Sequence, residues 1–210
     1  MLNTQTILTY AVIYSALLIS LILHENAHGV AALYMGDTTA KDSGRLSLNP
    51  LKHLSLLGTL SLFIFRFGWA KPVPINPYNF RKRKLGDFLV SISGILTNFL
   101  LAFIFLAIFD FIILKVDANP YLVLFIKSMV QYNVLLGVFN LIPLPPLDGS
   151  KIVMTFLPEK ITYKLLSVER YTNMILIALI FTGSISKVVI SMSDFVLKFM
   201  YGLLGWICIK

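Results

Sequence analysis

Residues 24–28 read His24-Glu25-Asn26-Ala27-His28, an HExxH pattern. On a helix, positions four apart lie on one face, one turn apart, so both imidazoles can reach a single metal ion. Glu25, about 100° round the helix, flanks that face. Zinc suits two imidazoles and one carboxylate, leaving a fourth tetrahedral position for water, whose pKa falls towards 7. A flanking glutamate can take that proton and pass it to a leaving amine. These residue types at this spacing are a hydrolase's apparatus; helix packing and a proton relay are the other uses open to such a cluster.

The cluster sits late in an apolar run. Residues 7–23 are uncharged and the run continues to Met35 without proline, so a helix of about 28 residues is expected, ended by Gly36-Asp37. Ionisable groups in a membrane helix are costly unless they face a cavity, a partner or a metal, which favours the chemical reading. The composition is that of a membrane protein. Of 210 residues, 57% are hydrophobic and 13% charged, against roughly 45–50% and about 25% in soluble domains. With spans of about 20 residues, four to six segments are expected. The chain therefore reads as an all-α integral membrane protein, a polytopic helical bundle forming one domain over residues 1–210. A core of about residues 1–150 precedes C-terminal helices.

The net charge of +8 fits cytoplasmic loops and anionic lipid headgroups better than nucleic acid. Residues 1–6 carry no Lys or Arg and no small-residue cleavage site follows Leu23, so the first run is expected to stay as a span. One cysteine, Cys208, excludes an internal disulfide framework and a Cys-rich metal site. A metal would have to be held by His and carboxylate.

Residues 44–48 have a β-like pattern. Residues 54–67, about 14 long and interrupted by Arg66, are short for a span and fit a re-entrant or interfacial segment. Residues 88–114 and 121–142 are full spans, the second closed by Pro143, Pro145 and Pro146. Residues 152–170 are mixed, 174–192 are long enough to cross, and 195–209 are marginal. Residues 36–86 hold nine Lys and Arg and residues 149–171 hold four, whereas residues 1–6 hold none and 115–120 one. Both basic segments should be cytoplasmic. An even number of crossings must separate them, which again favours a segment at 54–67 that dips in and returns.

A third ligand must come from His53 or from the nine acids other than Glu25. Most acids fall in loops or near the outer ends of spans, and His53 is expected at the interface. Asp148 differs: it follows Pro143-Leu144-Pro145-Pro146-Leu147 and precedes Gly149, where a span loses its helical bonding at the end shared with His24 and His28. Irregular backbone at membrane depth is tolerated where it lines a water-filled cavity. Alone, Asp148-Gly149 would read as an ordinary turn. Gly94 and Asn98 share a helix face at i, i+4, where a small residue permits close approach and an amide bonds across; plain packing is the other reading. Asn140 could equally satisfy backbone freed by Pro143.

HENAH in the first span, Ser93-Gly94-Ile95-Leu96-Thr97-Asn98-Phe99 in the next full one, and Phe139-Asn140-Leu141-Ile142 running on through Pro143 to Asp148-Gly149 resemble, in order, the site-2 protease family of intramembrane metalloproteases. Gly68-Trp69-Ala70-Lys71-Pro72-Val73-Pro74 resembles a segment of small prokaryotic members lacking PDZ and CBS modules. The resemblance implies Zn2+ held by His24, His28 and Asp148, with Glu25 as base. It implies cleavage of a peptide bond in a partner's transmembrane segment, in a multi-pass cell-membrane protein whose site opens to the cytoplasm. It also implies that Asn98 and Asn140 lie near the cleft and bind substrate backbone or the oxyanion. Residues 44–77 resemble the family's β-rich or re-entrant element, whose free strand edge would receive an unwound substrate. The competing readings are a catalytically silent scaffold of the same fold and a small transporter or proton channel.

Overall fold

The structure, a computed structural model, describes residues 3–55, 58, 71–111, 113 and 116–208. Helix α1 (Thr4–Tyr34) is capped by Asn3, whose side chain accepts the Gln5 N–H. It stops where Gly36 takes a φ of 107°, a value open to glycine without steric cost. A short turn of helix, α2 (Thr39–Asp42), follows. Helix α3 (Arg83–Phe111) and helix α4 (Pro120–Leu141) come next, α4 beginning with proline at its first position. The C-terminal part holds α5 (Asp148–Phe156), α6 (Glu159–Ser167), α7 (Glu169–Phe181) and α8 (Ser184–Cys208). Among the described residues, four helices are long and apolar enough to cross a membrane: α1, α3, α4 and residues Ser184–Trp206 of α8.

Helices α1, α3 and α4 pack against one another, α5 lies on α3 and α4, and α8 covers α4. Ala102 and Leu106 of α3, Val130, Val134 and Val138 of α4, and Val189, Met200 and Leu204 of α8 form the main apolar cluster. Much of the remaining apolar surface faces outward, as at Ile7, Leu96 and Leu100, which suits helices solvated by lipid tails. At about 1.5 Å per residue, α1 is near 46 Å long and His24 lies about 30 Å from its start. The histidines therefore sit towards the far end of a helix longer than the ~30 Å hydrocarbon layer.

Two expectations are corrected. The crossing expected at residues 174–192 is broken by the turn at Thr182-Gly183, where Gly183 has a φ of 71°. The long apolar helix instead begins at Ser184, and α7, with 13 residues, is too short to cross. The β-rich element expected after the first span is not supported: among the described residues there is no strand. Side chains take the carbonyls that a neighbouring strand would need. Lys52 Nζ donates to Gly44 C=O at 2.8 Å; Asn26 Nδ2 and His53 Nε2 reach Ser47 C=O at 2.9 and 2.7 Å. The re-entrant segment expected at 54–67 lies almost wholly outside the described residues.

The loop after α1 is organised by Asp37, which is fully buried. Its carboxylate accepts the Thr39 backbone N–H and hydroxyl, the Asn76 N–H at 2.8 Å and the Asn79 amide at 2.8 Å. Burial pushes its pKa up, but these donors outweigh burial and hold the carboxyl below its ordinary value. The end of α1 is thereby tied to the turn at Pro77–Asn79 that leads into α3.

Candidate metal centre

His24 and His28 lie on α1 at 5% and 7% exposure, with ring centroids 4.5 Å apart and planes at 86°. His28 Nδ1 is 2.7 Å from the Val90 carbonyl oxygen. A backbone carbonyl can only accept, so the Nδ1 of His28 carries a proton and, in the neutral ring, Nε2 carries the lone pair. His24 Nδ1 is 2.6 Å from Asn98 Oδ1, which imposes the same tautomer. The two Nε2 atoms then face each other at 3.0 Å, and Asp148 Oδ2 stands 3.2 and 3.1 Å from them.

Two ring lone pairs and a carboxylate oxygen converging this closely repel unless a cation lies among them. One proton joins only one pair of the three. A metal serves all three at once: adjacent ligands on a tetrahedral zinc with bonds of 2.0–2.1 Å are about 3.3–3.4 Å apart. The observed triangle of 3.0–3.2 Å is close to that, and this donor set suits zinc. Among the described residues, His24, His28 and Asp148 are also the group of His, Cys, Asp or Glu side chains placed to hold a metal.

Local sequence brings these atoms together. A Cβ at Gly94 of α3 would lie 2.5 Å from His24 Cε1 and 2.6 Å from His28 Cε1, so only glycine lets α3 pass beneath both rings. After α4 the prolines at 143, 145 and 146 stop helical bonding, and the chain turns through Leu144 N–H to Ile142 C=O and Leu147 N–H to Leu144 C=O. Helix α5 then opens on Asp148. A Cβ on Gly149 would come within 2.5 Å of the Leu141 carbonyl carbon and 2.6 Å of the Ile142 oxygen, so glycine is needed for α5 to seat there. Lys151, one turn on, has its Nζ 3.7 Å from Asp148 Oδ1 and mostly in solvent. Being exposed, it adds little to holding the carboxylate.

Glu25 is half-buried, and its Oε2 accepts the Val73 N–H at 2.9 Å. Val73 stands between Pro72 and Pro74, so its N–H is the one donor of that tripeptide. Arg45 Nη2 braces the same strap by donating to the carbonyls of Lys71 and Pro72.

The structure thus brings His24, His28 and Asp148 to one point, with Glu25 beside them. Asn98 lies behind His24, fully buried, with Oδ1 and Nδ2 both committed to side-chain partners. Asn140 is half-buried on the last turn of α4, where its Nδ2 donates to Leu136 C=O at 3.0 Å. His53, expected at the interface, is fully buried under the loop and stands apart from the cluster. Sequence reading overlooked Asn133 and Ser20, which line up behind Asn98. The available signal was an amide in the middle of an otherwise apolar span. A cavity of about 340 Å³ between α3, α4 and α8 shares no residue with the cluster.

Comparison with known proteins agrees with this chemistry. The sequence model of Peptidase family M50 matches residues 112–183, which include Asp148. The chain is 38% identical over 184 residues to the protein named "Putative zinc metalloprotease YwhC" of Bacillus subtilis (strain 168), covering 84% of this chain and 82% of that one. It is 27% identical over 154 residues to "Zinc metalloprotease MJ0392" of Methanocaldococcus jannaschii, covering 73% of this chain and 37% of that longer protein. No solved structure matches. A relative this similar over most of both lengths, together with apolar helices that converge on a His-His-Asp cluster, makes this chain a member of peptidase family M50, the site-2 protease family.

Proposed function

We propose that this protein is an intramembrane zinc endopeptidase that hydrolyses peptide bonds within or near transmembrane segments of membrane protein substrates. The observation that carries the reading is the triangle of His24 Nε2, His28 Nε2 and Asp148 Oδ2, with the remaining nitrogen of each ring already committed. The full 210-residue chain acts as one domain, and the site opens towards the cytoplasm, the side on which positive-inside counting puts the basic loops.

In this reading His24, His28 and Asp148 hold the ion. Zinc there supplies Lewis acidity to the scissile carbonyl and the attacking water. Glu25 takes the water's proton and delivers it to the departing amine; the Val73 N–H aims the carboxylate through Oε2 and leaves Oε1 for that task. Because Gly44 and Ser47 carbonyls are already bonded to side chains, strand addition at residues 44–48 would first have to displace Lys52, or Asn26 and His53. Asn140, near the end of α4, is the remaining amide for substrate backbone; Asn98 acts through His24.

The test is to purify the full chain in detergent, measure bound zinc, and compare membrane-protein fragments in cells carrying wild type or Glu25→Gln. One equivalent of zinc in both forms, with fragments lost in the variant, is expected. Absence of zinc, or an unchanged fragment pattern, refutes the proposal.

A further inference from the structure

Behind His24 runs a chain of polar side chains across three helices. Ser20 of α1, Asn98 of α3 and Asn133 of α4 are all fully buried, so water does not complete their bonding. Ser20 Oγ donates to Ala16 C=O at 2.8 Å and accepts from Asn133 Nδ2 at 2.8 Å; Asn133 Nδ2 also donates to Met129 C=O at 2.8 Å. Asn98 Nδ2 donates to Asn133 Oδ1 at 3.2 Å, and Asn98 Oδ1 faces His24 Nδ1.

The direction of this chain has one origin. The Met129 carbonyl can only accept, so the Asn133 atom beside it is the NH2 group and the other is the oxygen. An oxygen at that place can only accept, so Asn98 must turn its NH2 towards Asn133 and its oxygen towards His24. His24 must then carry its proton on Nδ1 and present the Nε2 lone pair to the centre. His28 obtains the same result directly from the Val90 carbonyl. Asn98 lacks such an anchor of its own: with Asn133 absent, its amide is free to flip, offering N–H to Nδ1 and moving the ring proton to Nε2, the form that has no lone pair to present at the centre.

We propose that Asn133 is a positioning residue that selects the metal-binding tautomer of His24 through Asn98. The proposal rests on the reading of His24, His28 and Asp148 as a zinc site and adds a residue that touches neither metal nor substrate.

With three histidines in the chain, the ring 15N resonances of the zinc-free, histidine-labelled protein can be assigned. The proposal expects the His24 proton on Nδ1 in wild type and a shift of population to Nε2 in Asn133→Leu, with zinc affinity, measured against a competing chelator, falling about 10–100-fold. Asn98→Asp provides the rescue. A carboxylate at 98 can only accept, so the Asn133→Leu/Asn98→Asp protein should return the proton to Nδ1 and regain zinc to within a few-fold of wild type. If Asn133 served only packing, a buried charge at 98 would not repair its loss. Asn133→Leu with unchanged zinc affinity and tautomer, or a folded double variant without recovery, overturns the proposal. Should Asn133→Leu not fold, the wild-type spectrum decides: a His24 ring without a proton on Nδ1 overturns the proposal and one that carries it supports it. Wild type that takes up no zinc overturns the metal-centre reading instead, whatever the ring shows.

Discussion

Replacing Gly94 by alanine tests most directly whether the close passage of α3 beneath the rings makes the centre. The added Cβ would stand 2.5 Å from His24 Cε1, 2.6 Å from His28 Cε1 and 2.7 Å from His24 Nδ1, against ordinary contact at 3.4 Å or more. Relief needs about 0.8–0.9 Å of movement by rings that a zinc site tolerates to roughly ±0.2 Å. If the rings move, His24 also leaves Asn98, and zinc affinity should fall by about 100-fold or more. If α3 moves away instead, overpacking costs about 1–3 kcal/mol of stability. Chelator competition and thermal unfolding of the purified protein separate the two routes. Gly202→Ala is the control, because nothing lies within 4 Å of a Cβ there: it should leave zinc affinity unchanged and should not lower stability. Gly94→Ala with wild-type zinc affinity and wild-type stability refutes the reasoning.

Gly149→Ala should be harsher, since its Cβ meets the backbone of Leu141 and Ile142 rather than movable side chains; loss of zinc and about 1–3 kcal/mol of stability are expected. Val73→Pro removes the N–H that aims Glu25; zinc stoichiometry should hold while kcat in a peptide-cleavage assay drops about 10-fold or more, a hydrogen bond to a charged group being worth about 1.5–3 kcal/mol. Asp37 has its folded-state pKa depressed by donors that outweigh burial, so its contribution is present above its ordinary value of 3.8. That stability should be lost as pH falls from there through the folded value. Asp37→Asn should flatten this acid limb in pH-dependent unfolding, and a limb unchanged in the variant would remove Asp37 as its cause.

The membrane class, the main helices and the pairing of the two histidines were legible in the sequence because each depends on short-range pattern. Apolar runs set α1, α3 and α4 to within a few residues, and the i, i+4 rule alone puts His24 and His28 on one face. Asp148 was reachable because prolines followed by Asp-Gly end a span at the depth of the histidines, and Gly94 because a small residue sits one turn from an amide. The C-terminal crossing was misplaced: hydropathy continues smoothly through Thr182 and Gly183, where the backbone does not. The strand pattern at residues 44–48 failed because Lys52, Asn26 and His53 took the carbonyls first. Only the tertiary structure decided what Asn98 does. Which end of the Asn98 amide faces the ring depends on Asn133, 35 positions along the chain, and on the Met129 carbonyl that orients it. Residue spacing carries no record of such contacts; a lone pair's direction is set by packed neighbours.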